Sequence, residues 1–100
     1  MVNQVKVETD FASCLCTFYH NGKANIMMID NVFVDESERG NGYGNKLIRK
    51  ALELANDENV DSVELVVNRD NSPAKKLYEG QGFAKTEKDY YRKILHWKNQ

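Results

Sequence analysis

The chain has two cysteines, no basic excess and no long apolar run, and each shortage removes a class of protein. No stretch approaches the roughly 20 apolar residues that a membrane-crossing helix requires. A protein that tracks nucleic-acid phosphates normally carries surplus positive charge, whereas this chain has a formal net charge of −1. Neither a membrane nor a nucleic acid is therefore expected as a partner. Zinc would need two ligands beyond Cys14 and Cys16, and His20 and His96 stand at no recognised spacing, so no metal is expected. In a strand the two cysteines would share a face, and a disulfide between strand positions two apart is geometrically poor. They read as buried, reduced thiols. Met1-Val2-Asn3-Gln4-Val5-Lys6 lacks the basic start and apolar stretch of a secretory leader, so the chain reads as soluble and cytoplasmic. Repeats, linkers and low-complexity tracts are also missing, which makes residues 1–100 one domain.

What is present is a mixed pattern. Residues 2–8 alternate weakly through Val2, Val5 and Val7 and read as a first, edge strand, followed by a tight turn at Thr9-Asp10. Residues 11–19 are apolar on both faces, which predicts a strand covered on both sides. Asn21-Gly22 marks a two-residue hairpin, and residues 24–34 return antiparallel. Asp30-Asn31 interrupts that strand, the mark of a bulge or of a strand facing a cavity. From 43 to about 58 the period becomes helical, with Leu47, Ile48, Ala51, Leu52 and Ala55 in one stripe. A short buried strand follows at 60–67. Asn71 or Ser72 caps a second helix with Pro73 at its first position, and Gly82 supplies the left-handed stop. Residues 83–96 close the chain as one or two strands with a turn near Lys88-Asp89. The fold class is α+β, in the order β-β-β-α-β-α-β(-β). The helical connection makes strands 24–34 and 60–67 a parallel pair in an otherwise antiparallel sheet.

The most informative segment is Arg39-Gly40-Asn41-Gly42-Tyr43-Gly44, which opens directly into the first helix. Alternate glycines at a helix start leave backbone N–H groups unshielded, and these groups together with the helix dipole make a seat for a phosphate. A Walker-type loop would need Gly-Lys-Ser or Gly-Lys-Thr, but Asn45 follows Gly44. A dinucleotide fingerprint would space its glycines G-x-G-x-x-G after a first parallel strand, and here the spacing is G-x-G-x-G after three antiparallel strands.

The same loop resembles the [Q/R]-x-x-G-x-[G/A] motif of the GNAT superfamily of acyl-CoA-dependent N-acyltransferases. A second segment resembles it independently: Asn71-Ser72-Pro73-Ala74-Lys75-Lys76-Leu77-Tyr78-Glu79-Gly80-Gln81-Gly82-Phe83 is similar to the family's N-x-x-A-x-x-L-Y-x-x-x-G-F signature. The resemblance covers residues from about 11 to 95. It implies a GNAT-like sheet and an N-acetyltransferase that moves an acetyl group from acetyl-CoA to a primary amine. It implies that the coenzyme A pyrophosphate sits on Gly40, Asn41, Gly42, Tyr43, Gly44 and Asn45, with Arg39 beginning the loop. The pantetheine arm would pair with the backbone of Val32, Phe33 and Val34 where the parallel strands splay apart. Asn71 matches a position that hydrogen-bonds the arm, and Lys75 is a candidate neighbour of the adenosine phosphate.

For the chemistry, the resemblance implies that Tyr78 is the general acid that protects the departing thiolate, a role suited to a phenol of pKa ~10. A backbone N–H on strand 24–34 would serve the oxyanion. The base is less defined, because Met28 and Val66 occupy the positions where relatives place a glutamate. Asp30 and Glu64 are the nearest carboxylates, and a water chain is the other route. Members of the family usually begin with another strand and two helices that wall the acceptor site, whereas this chain begins near the second family strand. Two expectations follow: an open acceptor side suited to a large substrate such as a protein terminus or lysine, or a homodimer in which a second copy completes the site. The competing function is a coenzyme A-binding or regulatory module without turnover. Tyr90, Tyr91 and Trp97 are candidates to line the acceptor side, with core packing as the other reading.

Overall fold

A computed structural model describes residues 3–67, 71–85 and 90–95. Its strands and α-helices are β1 (Gln4–Thr9), β2 (Ala12–His20), β3 (Asn25–Val34), α1 (Tyr43–Asp57), β4 (Ser62–Val66), α2 (Ser72–Gly80), β5 (Ala84–Lys85) and β6 (Tyr90–Ile94), with one turn of 3-10 helix at Glu36–Glu38 before α1. They form one six-stranded sheet in the order β1-β2-β3-β4-β6-β5. All neighbours are antiparallel except β3 and β4, which run parallel over Ile26–Ile29 against Ser62–Leu65. The α+β reading and its parallel pair are thus as the sequence implies, and β1 lies at a sheet edge. The turn expected at Lys88-Asp89 lies outside the described residues.

Strand alternation divides the sheet into two unlike faces. Val7, Cys14, Cys16, Met27, Ile29, Val63, Leu65 and Tyr91 turn toward the helices and join one core with Leu47, Ile48, Ala51 and Ala55 of α1 and Tyr78 of α2. Burying each valine, leucine, isoleucine or methionine of this core contributes roughly 1.5–3 kcal/mol before chain entropy is counted. Both described α-helices pack on this face. The expectation that β2 is covered on both sides is therefore corrected: its core face is buried, while Leu15 is half-buried and Tyr19 exposed on the other.

Two local expectations also shift. The first turn is Asp10-Phe11, closed by pairing of Thr9 with Ala12, and Phe11 takes φ 66. That conformation costs a bulky residue energy. It is held by the Phe11 carbonyl accepting from the Asp35 N–H at 2.7 Å and by an edge-on contact with the Tyr43 ring at 5.1 Å. Asn71, not Ser72, caps α2, its Oδ1 accepting from the Ala74 N–H at 3.2 Å, which moves Pro73 from the first to the second helical position. Proline is tolerated there because that N–H has no intrahelical partner. Gly82 ends the turn at φ +91 as expected.

The β3 irregularity is a bulge. Leu15 pairs with Asp30 and Ser13 with Phe33, so Asn31 and Val32 together oppose Cys14. Asn31 adopts φ 50, a left-handed conformation that asparagine tolerates better than most residues. Beyond Ile29 and Leu65 the parallel pairing stops, and β3 and β4 part company. At the other end Asp61 clamps the pair: its Oδ2 accepts from the Asn25 N–H at 2.8 Å, and its own N–H donates to the Asn25 carbonyl at 2.8 Å.

Candidate functional site

Where β3 and β4 separate, a groove of about 980 Å³ opens between α1 and α2. One wall is β3 from Met28 to Val32 with Val34, the other is Leu65 to Val67, and the helix starts close the end. Three features converge in it.

The first is an uncapped helix start. Gly42 precedes α1 at φ 86 and ψ 4 without a side-chain cap, and the first intrahelical bond runs from the Lys46 N–H to the Gly42 carbonyl at 3.1 Å. The N–H groups of Tyr43, Gly44 and Asn45 therefore lack intrahelical acceptors at the positive end of the dipole. Gly40, at φ +87, bends the preceding loop the same way. Gly44 has a different reason to be glycine: a Cβ there would meet the Leu77 Cδ2 at 3.1 Å, so it sets how closely α1 approaches α2. Gln81 Nε2 donating to Asn45 Oδ1 at 3.0 Å ties the same two helices.

The second is an open strand edge. Beyond Ile29 the β4-facing side of β3 has no strand partner among the described residues. Arg39 bends back, with Nε donating to the Val34 carbonyl at 3.4 Å. The third is Tyr78, only 5% exposed yet lining the groove, its ring edge-on to Phe83 at 6.0 Å. Burial pushes its pKa up to about 12, with the neighbouring Cys14 sulfur a smaller cause. No described residue hydrogen-bonds its hydroxyl, which is left as a donor to whatever occupies the groove.

Of the residues singled out in the sequence, Asp30, Val32, Val34, Arg39, Gly40, Gly42, Tyr43, Gly44, Asn45, Asn71 and Tyr78 line this groove. Asn41, Lys75, Phe33 and Glu64 do not. Asn41 is exposed and donates to Glu38 Oε1 at 3.4 Å, Lys75 is half-buried, and the Phe33 side chain stands 57% exposed on the helix-free face, leaving only its backbone on the groove side. Asn71 spends its Oδ1 on the cap and keeps its amide N–H groups to donate.

The two carboxylates differ sharply. Glu64 is 2% exposed and held twice, accepting from Tyr19 Oη at 3.1 Å and from Arg92 Nε at 3.0 Å. Asp30 is exposed, with no ion pair or hydrogen bond among the described residues. Tyr91 is a core residue, 1% exposed, with its hydroxyl 3.4 Å from Glu79 Oε2. The Tyr90 side chain and Trp97 lie outside what is described. Cys14 and Cys16 are buried with sulfurs 4.0 Å apart, and their hydrogen bond and then burial raise the Cys16 pKa. Sequence reasoning missed the apolar lining from Leu65, Val67, Pro73, Ala74 and Leu77. The signal was the apolar side of α2, which reads as core until the strands are seen to part.

Comparison with known proteins agrees with this geometry. Residues 2–83 match the acetyltransferase (GNAT) family. An uncharacterised N-acetyltransferase of Methanocaldococcus jannaschii is 37% identical over 78 residues, covering 77% of this chain and 34% of the relative. The chain thus spans about a third of that relative's length. Among solved structures, the NatC complex bound to Gag peptide and CoA aligns with TM-score 0.75 and 27% identity over 87% of this chain and 61% of that one. A Bacillus anthracis acetyltransferase in complex with acetyl coenzyme A aligns with TM-score 0.77 and 21% identity over 95% and 64%, a likeness of fold. Splayed parallel strands, a glycine-rich helix start and the family match over most of the chain lead to one assignment: this chain belongs to the acetyltransferase (GNAT) family.

Proposed function

We propose that the chain transfers an acetyl group from acetyl-CoA to a primary amine. The observation that carries this reading is the meeting, in one groove, of a β3 edge without a strand partner among the described residues, three uncapped helix N–H groups and a buried phenol. Each matches one part of the donor: an amide-bearing arm, a pyrophosphate and a sulfur leaving group.

Acetyl-CoA, when bound, supplies the activated acetyl thioester. The N–H groups of Tyr43, Gly44 and Asn45 hold the pyrophosphate, Arg39 adds a positive charge, and the backbone of Val32 to Val34 with the Asn71 amide orients the arm. Tyr78 donates its proton to the sulfur as the carbon–sulfur bond breaks and the carbon–nitrogen bond forms. With its pKa raised to about 12, the phenol stays protonated over the whole working pH range. Asp30 takes the proton that the amine loses, directly or through water. Glu64 is set aside as the base because both of its oxygens are engaged and it does not line the groove. Its contribution is to position Arg92 and Tyr19.

Calorimetric titration with acetyl-CoA, followed by release of free thiol with an amine panel, tests both halves. Binding in the micromolar range or tighter together with amine-dependent thiol release is expected. Binding without turnover would favour a coenzyme A-holding module, and no binding would reject both readings.

A further inference from the structure

We infer that the acceptor is a monoamine carried on an apolar skeleton, an arylalkyl- or alkylamine, rather than a polyamine, an aminosugar or a peptide. This rests on the acetyl-transfer reading above and concerns the other end of the same groove. By strand alternation Met28, Asp30 and Val66 belong to the helix-free face, opposite their core-facing neighbours Ile29 and Leu65, and all three line the groove. The groove therefore opens onto that face between β3 and β4, beside the point where the strands part.

The side chains at this mouth are apolar except for Asp30 and Asn31. Leu15 pairs with Asp30 across β2 and β3, Met28 is half-buried, and Val66 and Phe33 are 65% and 57% exposed. The charged group of the two is the Asp30 carboxylate, which has no ion-pair partner among the described residues. Glu64, one row along the same face, is already paired with Arg92, so it adds no free negative charge.

One carboxylate set among aliphatic and aromatic side chains complements one ammonium set beside a hydrocarbon. A second or third ammonium would face Leu15, Met28 and Val66, or the Arg92 guanidinium, and would lose hydration without a partner. A peptide would bring a row of amides in need of hydrogen bonds. The face offers Ser13, Thr17, Tyr19 and the neighbouring Asn31, of which Thr17 Oγ1 already accepts from Gln4 Nε2 at 3.1 Å and Tyr19 Oη already donates to Glu64 Oε1 at 3.1 Å.

The test compares kcat/KM for 2-phenylethylamine, hexylamine, spermidine and a hexapeptide with a free N-terminus, after acetyl-CoA binding has been measured by calorimetry. An open apolar mouth discriminates at the low end of what a hydrophobic site achieves, so the two monoamines are expected to lead by about tenfold. Val66→Asp, at a position 65% exposed and so tolerant of a charge, is expected to erase that lead by weakening the monoamines and favouring spermidine. Spermidine or the peptide matching the monoamines, a lead that survives Val66→Asp, or no turnover despite bound acetyl-CoA would each overturn the inference. Absence of acetyl-CoA binding would instead overturn the transfer reading on which it rests.

Discussion

Replacing Gly42 with alanine separates backbone strain from anion binding. Gly42 has φ +86, and nothing lies within 4 Å of where a Cβ would stand, so the methyl meets no wall inside the protein. What it costs is left-handed backbone, about 1–2 kcal/mol, offset by about 0.4–1 kcal/mol because alanine restricts the unfolded chain. The net loss is about 1 kcal/mol, or about 4–8 °C in Tm for a domain of this size. Gly22→Ala obeys the same arithmetic, with φ +94 and open space, but it sits in the β2–β3 hairpin at the far end of β3. Without ligand the two variants should melt alike. With acetyl-CoA at about 100 times its Kd, the parent gains about 2.7 kcal/mol. A methyl placed among the N–H groups proposed to hold the pyrophosphate that weakens binding tenfold removes about 1.4 kcal/mol of this gain. The ligand-induced shift of Gly42→Ala should then fall about 6–11 °C below that of Gly22→Ala. Scanning calorimetry of the three proteins with and without acetyl-CoA reads both numbers. Equal ligand-induced shifts in the two variants would refute the pyrophosphate assignment, and unaltered melting of both without ligand would refute the strain argument.

Tyr78→Phe should slow thiol release by about 10²-fold while leaving acetyl-CoA affinity intact; an unchanged kcat would remove Tyr78 from the acid role. Because burial raises the Tyr78 pKa from 10 to about 12, the folded state holds this proton more tightly than the unfolded chain. The associated stability is complete below pH 10 and is lost as pH rises through 12, so the parent should lose more stability than Tyr78→Phe across that window in urea melts. Arg92→Ala should cost about 1–3 kcal/mol, less than the 3–5 of a fully buried pair, since the Glu64 side chain is 3% exposed but that of Arg92 is 44%. A change in urea midpoint too small to resolve would mean that solvent already neutralises Glu64. Asp30→Asn should lower kcat/KM by about 10²-fold with unchanged donor affinity, whereas Glu64→Gln should affect stability more than rate; the reverse pattern would return the base to Glu64. A thiol reagent should label neither Cys14 nor Cys16 in the native protein and both after unfolding, because they are 2% and 0% exposed.

Element identity was legible because it follows from short-range patterns. The hairpin at Asn21-Gly22, the helical stripe through Leu47 and Ala55 and the stop at Gly82 are each decided within a few residues. The glycine loop and Tyr78 were legible as one group because the residues that line the groove also carry a spacing. What stayed hidden depended on partners distant in the chain. Whether Glu64 faces a substrate is decided by Tyr19, 45 positions earlier, and Arg92, 28 positions later. Gly44 looked like one more loop glycine, but its lack of a side chain matters because Leu77 comes from another helix. Phe11 read as strand since its apolar ring fits a strand pattern, yet its carbonyl and ring are held in a turn by Asp35 and Tyr43.

Counting faces along β3 gives the bulge a further consequence. Met27 and Ile29 point to the helices, and unbroken alternation would send Asn31 and Phe33 after them while turning Val32 and Val34 away. The additional residue opposite Cys14 inverts this order, so two valines border the groove and the phenyl ring stands outside it. The space between the strands is thus a matter of counting as much as of composition. Straightening the bulge with Asn31 kept would swing Phe33 into the groove, whereas deleting Asn31 would put Ile29, Val32 and Val34 on alternate positions and leave the phenyl ring outside.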